Sequence, residues 1–249
     1  MSTPRFITFE GIDGSGKSTQ SRRFAQRLEA QGIQTVLTRE PGGSPGAEEI
    51  RKLVLTGDTD RWSAETEILL FTAARRDHLE KTIEPALAAG KTVISDRFAD
   101  STRVYQGATR GDLRAMVDQL HSLMIGREPD LTFIIDMDPA LALERGLARK
   151  SGEDRFEDFG LGFQETLRHG FLALAHANPK RCVLIDGNRT PDQIASEIAA
   201  YASPMTHAQN QTGSKARRIR ARPLFCLGKP RQSMIFWMPL PPGACIPAG

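Results

Sequence analysis

One octapeptide combines glycines, a lysine and a hydroxyl side chain in an order suited to binding phosphate. Residues 11–18, GIDGSGKS, fit the pattern G-x-x-x-x-G-K-[ST] and follow an apolar run at 6–9 that is long enough for a buried strand. Residues 19–30 then carry Phe24 and Leu28 four positions apart, as in a helix packed on a sheet. This order of strand, glycine loop and helix predicts a phosphate-binding loop; a chance match is the alternative.

The chemistry of such a loop follows from its backbone. N–H groups at a helix N-terminus lack an intrahelical acceptor and lie at the positive end of the helix dipole, so they bind phosphate oxygens. We expect Lys17 to reach the β- and γ-phosphates and the Ser18 hydroxyl to hold Mg²⁺. The residues predicted to surround the phosphates are Gly11, Gly14, Ser15, Gly16, Lys17, Ser18 and Thr19.

The charged pair Asp96-Arg97 is a second candidate site feature, and it directly follows the apolar run at 92–95. In open parallel sheets ligands bind at the carboxyl ends of the strands, so this pair should lie beside the glycine loop. A carboxylate there can orient Mg²⁺ or its waters, and a guanidinium can clamp a phosphate. A surface ion pair is the alternative, and the position directly after a buried strand favours the functional interpretation.

Two further segments are candidates for the walls of the same site. The sequence REPGG at 39–43 follows the second predicted strand, although an ordinary Pro-Gly turn has the same composition. Phe71, Arg75 and His78 recur at helical spacing in a predicted helix over 63–89. A base could stack on Phe71 and accept a hydrogen bond from Arg75, but taken alone Phe71 is more typical of a core residue.

Residues 149–157, RKSGEDRFE, form a polar, glycine-containing connection between two predicted helices. Its arginines, Arg149 and Arg155, suggest a lid that closes over phosphates and excludes water. A solvated charged loop is the alternative, and the pattern alone does not separate the two.

The elements that must position these groups alternate between strand and helix. This alternation predicts an α/β fold with a doubly wound, five-stranded parallel sheet and helices on both faces. The predicted strands are 6–9, 34–38, 92–95, 131–136 and 182–186.

The composition is typical of a soluble globular domain. The chain has 249 residues, 39% hydrophobic and 25% charged, which is enough to bury a full core. No apolar run approaches the ~20 residues of a membrane span and no signal-peptide core is visible, so we expect a cytoplasmic protein. Three scattered cysteines, Cys182, Cys226 and Cys245, are too few for a disulfide framework or a zinc site, and we expect free thiols.

The composition changes at Pro204. Residues 204–249 contain seven of the fifteen prolines, seven basic residues and no acidic one. Residues 1–203 hold 26 basic and 30 acidic residues, so their net charge is −4 and nucleic-acid binding by this part is not indicated. We predict a domain at 1–203 and a disordered, Pro-rich, basic tail at 204–249. Such a tail could be a functionless extension. The alternative is that it docks, either through the apolar residues 235–238 on the domain or through the arginines at 217–222 on an anionic surface.

Six motifs occur in order over about residues 5–202. They are FEGIDGSGKST at 9–19, REPGG at 39–43, LFTAAR at 70–75, DR at 96–97, YQG at 105–107 and DRFE at 154–157. Together they closely resemble the motifs of thymidylate kinase of the bacterial type; one such motif would be weak evidence, but six at fitting intervals are specific. The resemblance implies a P-loop kinase that transfers the γ-phosphoryl group of ATP to dTMP with Mg²⁺, giving dTDP, and that forms a homodimer.

The resemblance also implies roles for matched positions. Asp13 would meet the deoxyribose 3′-hydroxyl, Phe71 would stack on thymine, and Arg75 would hydrogen-bond the base. Arg97 would hold the acceptor phosphate, and Asp96 the magnesium shell. The remaining substrate-binding positions are Glu40 and Pro41 beside the acceptor phosphate or metal, and Thr102, Tyr105 and Gln106 around the nucleoside, with Tyr105 crowding out a ribose 2′-hydroxyl.

In this family an arginine near the transferring phosphoryl group comes either from the glycine loop or from the lid. The loop here has Gly14 and Ser15, so the lid arginines are the candidates. Phosphoryl transfer depends mostly on positioning and charge neutralisation. The predicted catalytic residues are therefore Lys17, Arg97, Arg149 and Arg155.

Two other functions stay open at this stage. Related nucleoside or nucleotide kinases also combine a glycine loop with Asp-Arg after a strand, although the segment at 70–75 favours thymine. The second alternative is a nucleotide-dependent switch. The sequence has no Asn-Lys-x-Asp segment, which would recognise guanine, and this disfavours a GTPase.

Overall fold

Five short apolar strands pair side by side because most of their residues are apolar or β-branched and can be buried on both faces. The computed structural model describes residues 5–58, 61–107, 112–147 and 160–202. All strand pairs are parallel, in the order β2-β3-β1-β4-β5, which confirms the predicted five-stranded parallel sheet. The strands are β1 Phe6–Glu10, β2 Thr35–Arg39, β3 Thr92–Asp96, β4 Leu131–Asp136 and β5 Cys182–Asp186.

Helices connect the strands and cover the sheet. A π-helical turn, Leu79–Ile83, joins α3 to α4, and a 3₁₀ turn, Ala200–Ala202, follows α9. The α-helices of the described residues are α1 Lys17–Ala30, α2 Pro45–Leu55, α3 Ala64–His78, α4 Glu84–Ala88, α5 Ala99–Tyr105, α6 Arg114–Met124, α7 Pro139–Leu147, α8 Gly160–Ala177 and α9 Pro191–Ala199.

Both faces of the sheet are packed, which confirms the prediction of helices on both sides. On one face Phe9, Phe24 and Phe133 form an aromatic cluster with ring centroids 5.1–6.0 Å apart, and residues of α1 and α9 complete it. On the other face Ile134 packs with α5 and α8, while Phe6 packs with the π-helical turn and α4. In the described part of the chain no helix is both long and apolar enough to cross a membrane.

The register of the strands brings three loops together at one edge. Phe9 of β1 pairs with Asp96 of β3, and Asp96 pairs with Arg39 of β2. The ladder continues one step further, because the Glu40 N–H donates to the Asp96 carbonyl (2.9 Å) and the Arg97 N–H donates to the Phe9 carbonyl (2.9 Å). The loops after β1, β2 and β3 therefore begin next to one another.

The predicted helix over 63–89 is observed over 64–88 as α3, the π-helical turn and α4 in direct succession, and only the π-helical turn was not predicted. Pro85 has no N–H for an α-helical bond, and its ring would clash with the carbonyl four residues earlier. The Glu84 N–H instead donates to the Leu79 carbonyl five residues earlier, which widens the helix at that point. Helix α5 was not predicted at all.

Some predictions fall outside the described residues. The proposed lid at 149–157, with Arg149 and Arg155, lies there, as do the tail at 204–249 and Cys226 and Cys245 within it. Cys182 is buried with a free thiol, as predicted.

Candidate active site

The glycine loop has a backbone that only glycine adopts easily. Gly14 and Gly16 have φ of +79° and +95°, and a Cβ on Gly14 would lie 1.8 Å from the Ala142 carbonyl oxygen of α7. Helix α1 begins directly afterwards, at Lys17, and its N-cap residue, Gly16, has no side chain that could cap it. The first N–H groups of this helix can therefore donate to an anion.

Lys17 is a buried cation beside this helix end. Its Nζ donates to the Ile12 carbonyl across the loop (2.7 Å). Burial and the positive charge of Arg97 lower the pKa of Lys17 to about 8, against the opposing effect of Asp13, Asp96 and Glu10. Phosphate oxygens near Nζ would favour the charged form of Lys17, so the loop suits an anionic ligand.

A cavity of about 270 Å³ opens at the carboxyl ends of β1, β2 and β3. It contacts most of the predicted site residues, from the glycine loop to helices α3 and α5. The predicted Gly11, Ser15 and Thr19 lie in the loop and in α1 but are not among the described lining residues. The predicted residues that line the cavity are Asp13, Gly14, Gly16, Lys17, Ser18, Glu40, Pro41, Phe71, Arg75, Asp96, Arg97, Thr102, Tyr105 and Gln106.

Arg97 has a left-handed backbone, with φ of 71°, which no other non-glycine residue of the described chain adopts. Hydrogen bonds hold the turn around it: the Ser95 hydroxyl donates to the Arg97 carbonyl (2.7 Å), and the next N–H, of Phe98, donates to Glu10 Oε1 (2.8 Å). Such a conformation persists only where the surroundings fix it. The turn directs the guanidinium to the Ser101 hydroxyl, 2.8 Å from Nη1, at the cavity wall.

Asp13 and Tyr105 hold the other side of the same guanidinium. Arg97 Nη2 donates to Asp13 Oδ1 and to the Tyr105 hydroxyl (3.1 Å), which itself donates to Asp13 Oδ2 (2.6 Å). Burial would raise the pKa of Asp13, but the positive charges of Arg97 and Lys17 outweigh it and lower that pKa. Asp13 is therefore a carboxylate, able to accept a further hydrogen bond.

Arg75 lines the cavity from α3, one helical turn after Phe71. Its Nε donates to Glu40 Oε2 (2.7 Å), and its Nη2 donates to the Thr102 hydroxyl (2.9 Å) and the Phe98 carbonyl (3.3 Å). Nη1 makes no hydrogen bond to any residue that the structure describes. Arg75 thus keeps a donor for a ligand, while Phe71 is half-buried at the cavity wall.

The residues present fit a magnesium ion that is completed by water and phosphate. Asp96 Oδ1 is buried without a hydrogen-bond partner within the described ranges, and Asp96 and Ser18 both line the cavity. No group of three or more acidic, histidine or cysteine side chains that could hold a metal ion occurs among those residues. Mg²⁺ is commonly held by one or two protein oxygens together with substrate phosphates, so one carboxylate and one hydroxyl suffice.

Sequence reasoning missed several residues of the cavity. Arg51 of α2 donates from Nη1 to the carbonyl of Pro41 (2.6 Å), which follows a cis peptide bond. The spacing of Arg51 and Leu55, four apart in α2, is a signal that could have placed them on one helix face. Arg39, which also lines the cavity, lies in the wall segment predicted at 39–43; the lining residues outside every predicted segment are Arg51, Leu55 and Phe98.

Glu10 was also missed, although a carboxylate at the end of a mostly apolar strand is itself a signal. The side chain is fully buried, and its two oxygens accept from the Phe98 N–H (2.8 Å) and the Ser101 hydroxyl (2.6 Å). Burial and the negative charge of Asp100 raise the pKa of Glu10 to about 7, although both hydrogen bonds and Arg97 oppose the rise. Glu10 thus supports the Arg97 turn from behind the cavity.

Comparison with known proteins gives one consistent family. The family model described as thymidylate kinase matches residues 9–198. The thymidylate kinase of Dinoroseobacter shibae is 73% identical over 197 residues, covering 79% of this chain and 95% of the relative; that of Ruegeria pomeroyi is 68% identical, covering 82% and 96%. The crystal structure of thymidylate kinase from Ehrlichia chaffeensis matches with a TM-score of 0.65 at 39% identity, covering 80% of this chain and 99% of that one.

The raised pKa of Glu10 predicts a pH-dependent stability. The folded protein binds the Glu10 proton more tightly than the unfolded chain, in which the pKa is near 4.5, so this contribution is lost as the pH rises from about 5 through about 7. Glu10→Gln cannot titrate. We expect the Tm of the wild type to fall relative to that of Glu10→Gln between pH 5 and pH 8. A Tm difference that stays constant over this range would show that Glu10 titrates as an ordinary carboxyl group.

Proposed function

The chain belongs to the thymidylate kinase family, whose members transfer the γ-phosphoryl group of ATP to dTMP, and we propose that both substrates meet in the cavity described above. The observation that carries this proposal is that one cavity contacts both the glycine loop and the side chains of Phe71 and Arg75. Arg97 lines the same cavity. This arrangement supports an in-line transfer between two nucleotides.

At the phosphate end, the chemistry is charge neutralisation. Lys17 and the N–H groups at the start of α1 bind the β- and γ-phosphates of ATP, and Arg97 binds the phosphate of dTMP. In a buried site such fixed charges stabilise the charge that spreads over the transferring phosphoryl group. The arginines Arg149 and Arg155 of the predicted lid complete this set.

At the nucleoside end, Phe71 stacks on thymine and the unused Nη1 of Arg75 donates to a carbonyl of the base. Asp13 accepts a hydrogen bond from the deoxyribose 3′-hydroxyl, and the ring of Tyr105 leaves no room for a 2′-hydroxyl. Thr102 and Gln106 line the rest of this pocket, and Gln106 is itself held by Glu67, with Nε2 donating to Oε2 (3.2 Å).

Mg²⁺ fits the oxygen atoms at the phosphate end, with the Ser18 hydroxyl and Asp96 as its protein ligands or as partners of its waters. When bound, the ion neutralises the phosphates of ATP and orients them. Glu40 and Pro41 border this region from the loop after β2.

We also propose that residues 1–203 form the catalytic domain and that residues 204–249 are dispensable for activity. The matches with relatives support this division, because they cover 95–96% of those proteins but only 79–82% of this chain. The nucleotide substrates support a cytoplasmic location.

Acceptor specificity tests the proposed function. In a coupled assay of ADP release with ATP and Mg²⁺, we expect strong preference for dTMP over dUMP, UMP, dCMP, AMP, GMP and thymidine. Preference for another monophosphate would contradict the assignment of Phe71, Arg75 and Tyr105, and ADP release that ignores every acceptor would indicate an ATPase. A chain ending at Ser203 should give the same result.

The lid arginines are predicted to act on the transition state. Arg149→Ala or Arg155→Ala should lower kcat by ~10³ while changing the KM for dTMP little, because the phosphoryl charge develops only during transfer. Arg23→Ala is a suitable control, since Arg23 forms an exposed ion pair with Asp192 on α9. Unchanged kcat in both lid variants would remove these arginines from the mechanism.

We further propose a homodimer formed by an apolar patch on α2, α3 and α6. Leu69 of α3 is 58% exposed and Leu123 of α6 is 80% exposed, and the two helices are joined by Arg76, whose Nη1 donates to the Met124 carbonyl (2.8 Å). Large apolar side chains that remain this exposed on neighbouring helices are typical of an interface. The patch consists of Leu53, Leu69, Met116, Leu123 and Met124.

Charge placed in this patch should separate the subunits. We expect Leu69→Glu with Leu123→Glu to run as a monomer in analytical ultracentrifugation, while the wild type runs as a dimer. Leu184→Glu, at an equally apolar exposed position on β5, should leave the dimer intact. A wild type that is monomeric at tens of micromolar, or a double variant that remains dimeric, would contradict the proposed interface.

A further inference from the structure

We infer that His78 is a positioning residue for recognition of the base: it fixes the carboxylate of Glu40, which in turn fixes the guanidinium of Arg75. The inference rests on the proposed binding of dTMP at Phe71 and Arg75. His78 itself lies behind Glu40, at the last position of α3, and is not among the cavity-lining residues that the structure describes.

The Glu40 carboxylate is shared between two buried partners. Its Oε2 accepts from Arg75 Nε (2.7 Å), and its Oε1 lies 3.0 Å from His78 Nδ1. The side chains of Arg75, Glu40 and His78 are 4%, 3% and 0% exposed. Because Glu40 accepts on both sides, Nδ1 must carry the hydrogen of the second bond, and neither oxygen is left to rotate toward another donor.

The opposite edge of the imidazole is fixed as well. His78 Nε2 lies 2.7 Å from the Thr38 hydroxyl of β2, and a Cβ on Gly43 would lie 2.4 Å from both of these atoms. A side chain at position 43 would therefore displace the ring. Strand β2, the loop after it and helix α3 together hold the imidazole in one orientation.

This chain of contacts ends at the donor that faces the ligand. Nε and Nη2 of Arg75 are used by Glu40, Thr102 and Phe98, which sets the plane of the guanidinium and the direction of Nη1. An arginine only donates, so Nη1 favours a base that presents a carbonyl over one that presents an amino group. A guanidinium free to tilt would lose part of this discrimination between dTMP and dCMP.

The test compares kcat/KM for dTMP and dCMP in variants of the full-length protein. His78→Phe keeps a ring of similar size but removes both hydrogen bonds. We expect the dTMP/dCMP ratio to fall about tenfold, mainly through a higher KM for dTMP, with the KM for ATP unchanged. His78→Asn, whose side-chain amide can replace the Nδ1 donor, should recover most of the ratio.

Two controls separate positioning from general stability. His121 of α6 is also a buried histidine, beside Glu128, and His121→Phe should lower Tm while leaving the dTMP/dCMP ratio at the wild-type value. Thr38→Val keeps His78 and removes only its far-side partner, and we expect it to lower the ratio by about threefold, so the proposal can be tested even where His78→Phe does not fold.

The outcomes are distinct. A His78→Phe or Thr38→Val protein that loses stability but keeps the wild-type ratio would show that His78 is only a packing residue. A ratio that falls equally in His121→Phe would also overturn the inference. A wild type that does not prefer dTMP would refute the proposed function, and the inference would fall with it.

Discussion

The site depends on two arginines, one half-buried and one buried, that are each held by carboxylates. Arg97 is held by Asp13 on one side and, through the Ser101 hydroxyl, by Glu10 on the other. Arg75 is held by Glu40. A charge removed from water is costly unless it is paired and hydrogen-bonded, so each carboxylate makes its arginine tolerable in the fold and also fixes where the guanidinium lies. The groups proposed to bind the acceptor phosphate and to recognise the base are thus held in place by the protein itself.

The parallel sheet is what brings these pairs together. The carboxyl ends of β2, β3 and β1 are adjacent, and Glu40, Arg97 and Glu10 lie at or directly after these ends. Arg75 and Tyr105 come from helices α3 and α5. Burial strengthens the interaction of Arg75 with Glu40, and the hydrogen bonds fix both arginines before a reaction. A phosphoryl transfer, which needs positioning and charge more than covalent chemistry, suits such a frame.

Part of the site could be predicted from short segments of the sequence. The glycine loop and Asp96-Arg97 could be predicted because each is a short segment whose function follows from its own backbone and the strand before it. The pairing of Glu40 with Arg75 and His78 could not be predicted, because the partners are 35 and 38 residues apart and meet only through the fold. Periodicity also failed at Leu79–Ile83, where the π-helical turn keeps the apolar pattern of an ordinary helix, and at α5, whose buried polar residues hide its periodicity.

The most direct measurement is a crystal structure of the protein with dTMP and a non-hydrolysable ATP analogue. We expect thymine stacked on Phe71, a base carbonyl within about 3.2 Å of Arg75 Nη1, and the acceptor phosphate on Arg97. The ATP analogue should place its phosphates at Lys17. A thymine bound elsewhere, or turned so that no carbonyl meets Arg75, would contradict the central claim that one pre-formed cavity reads the base and holds both phosphates.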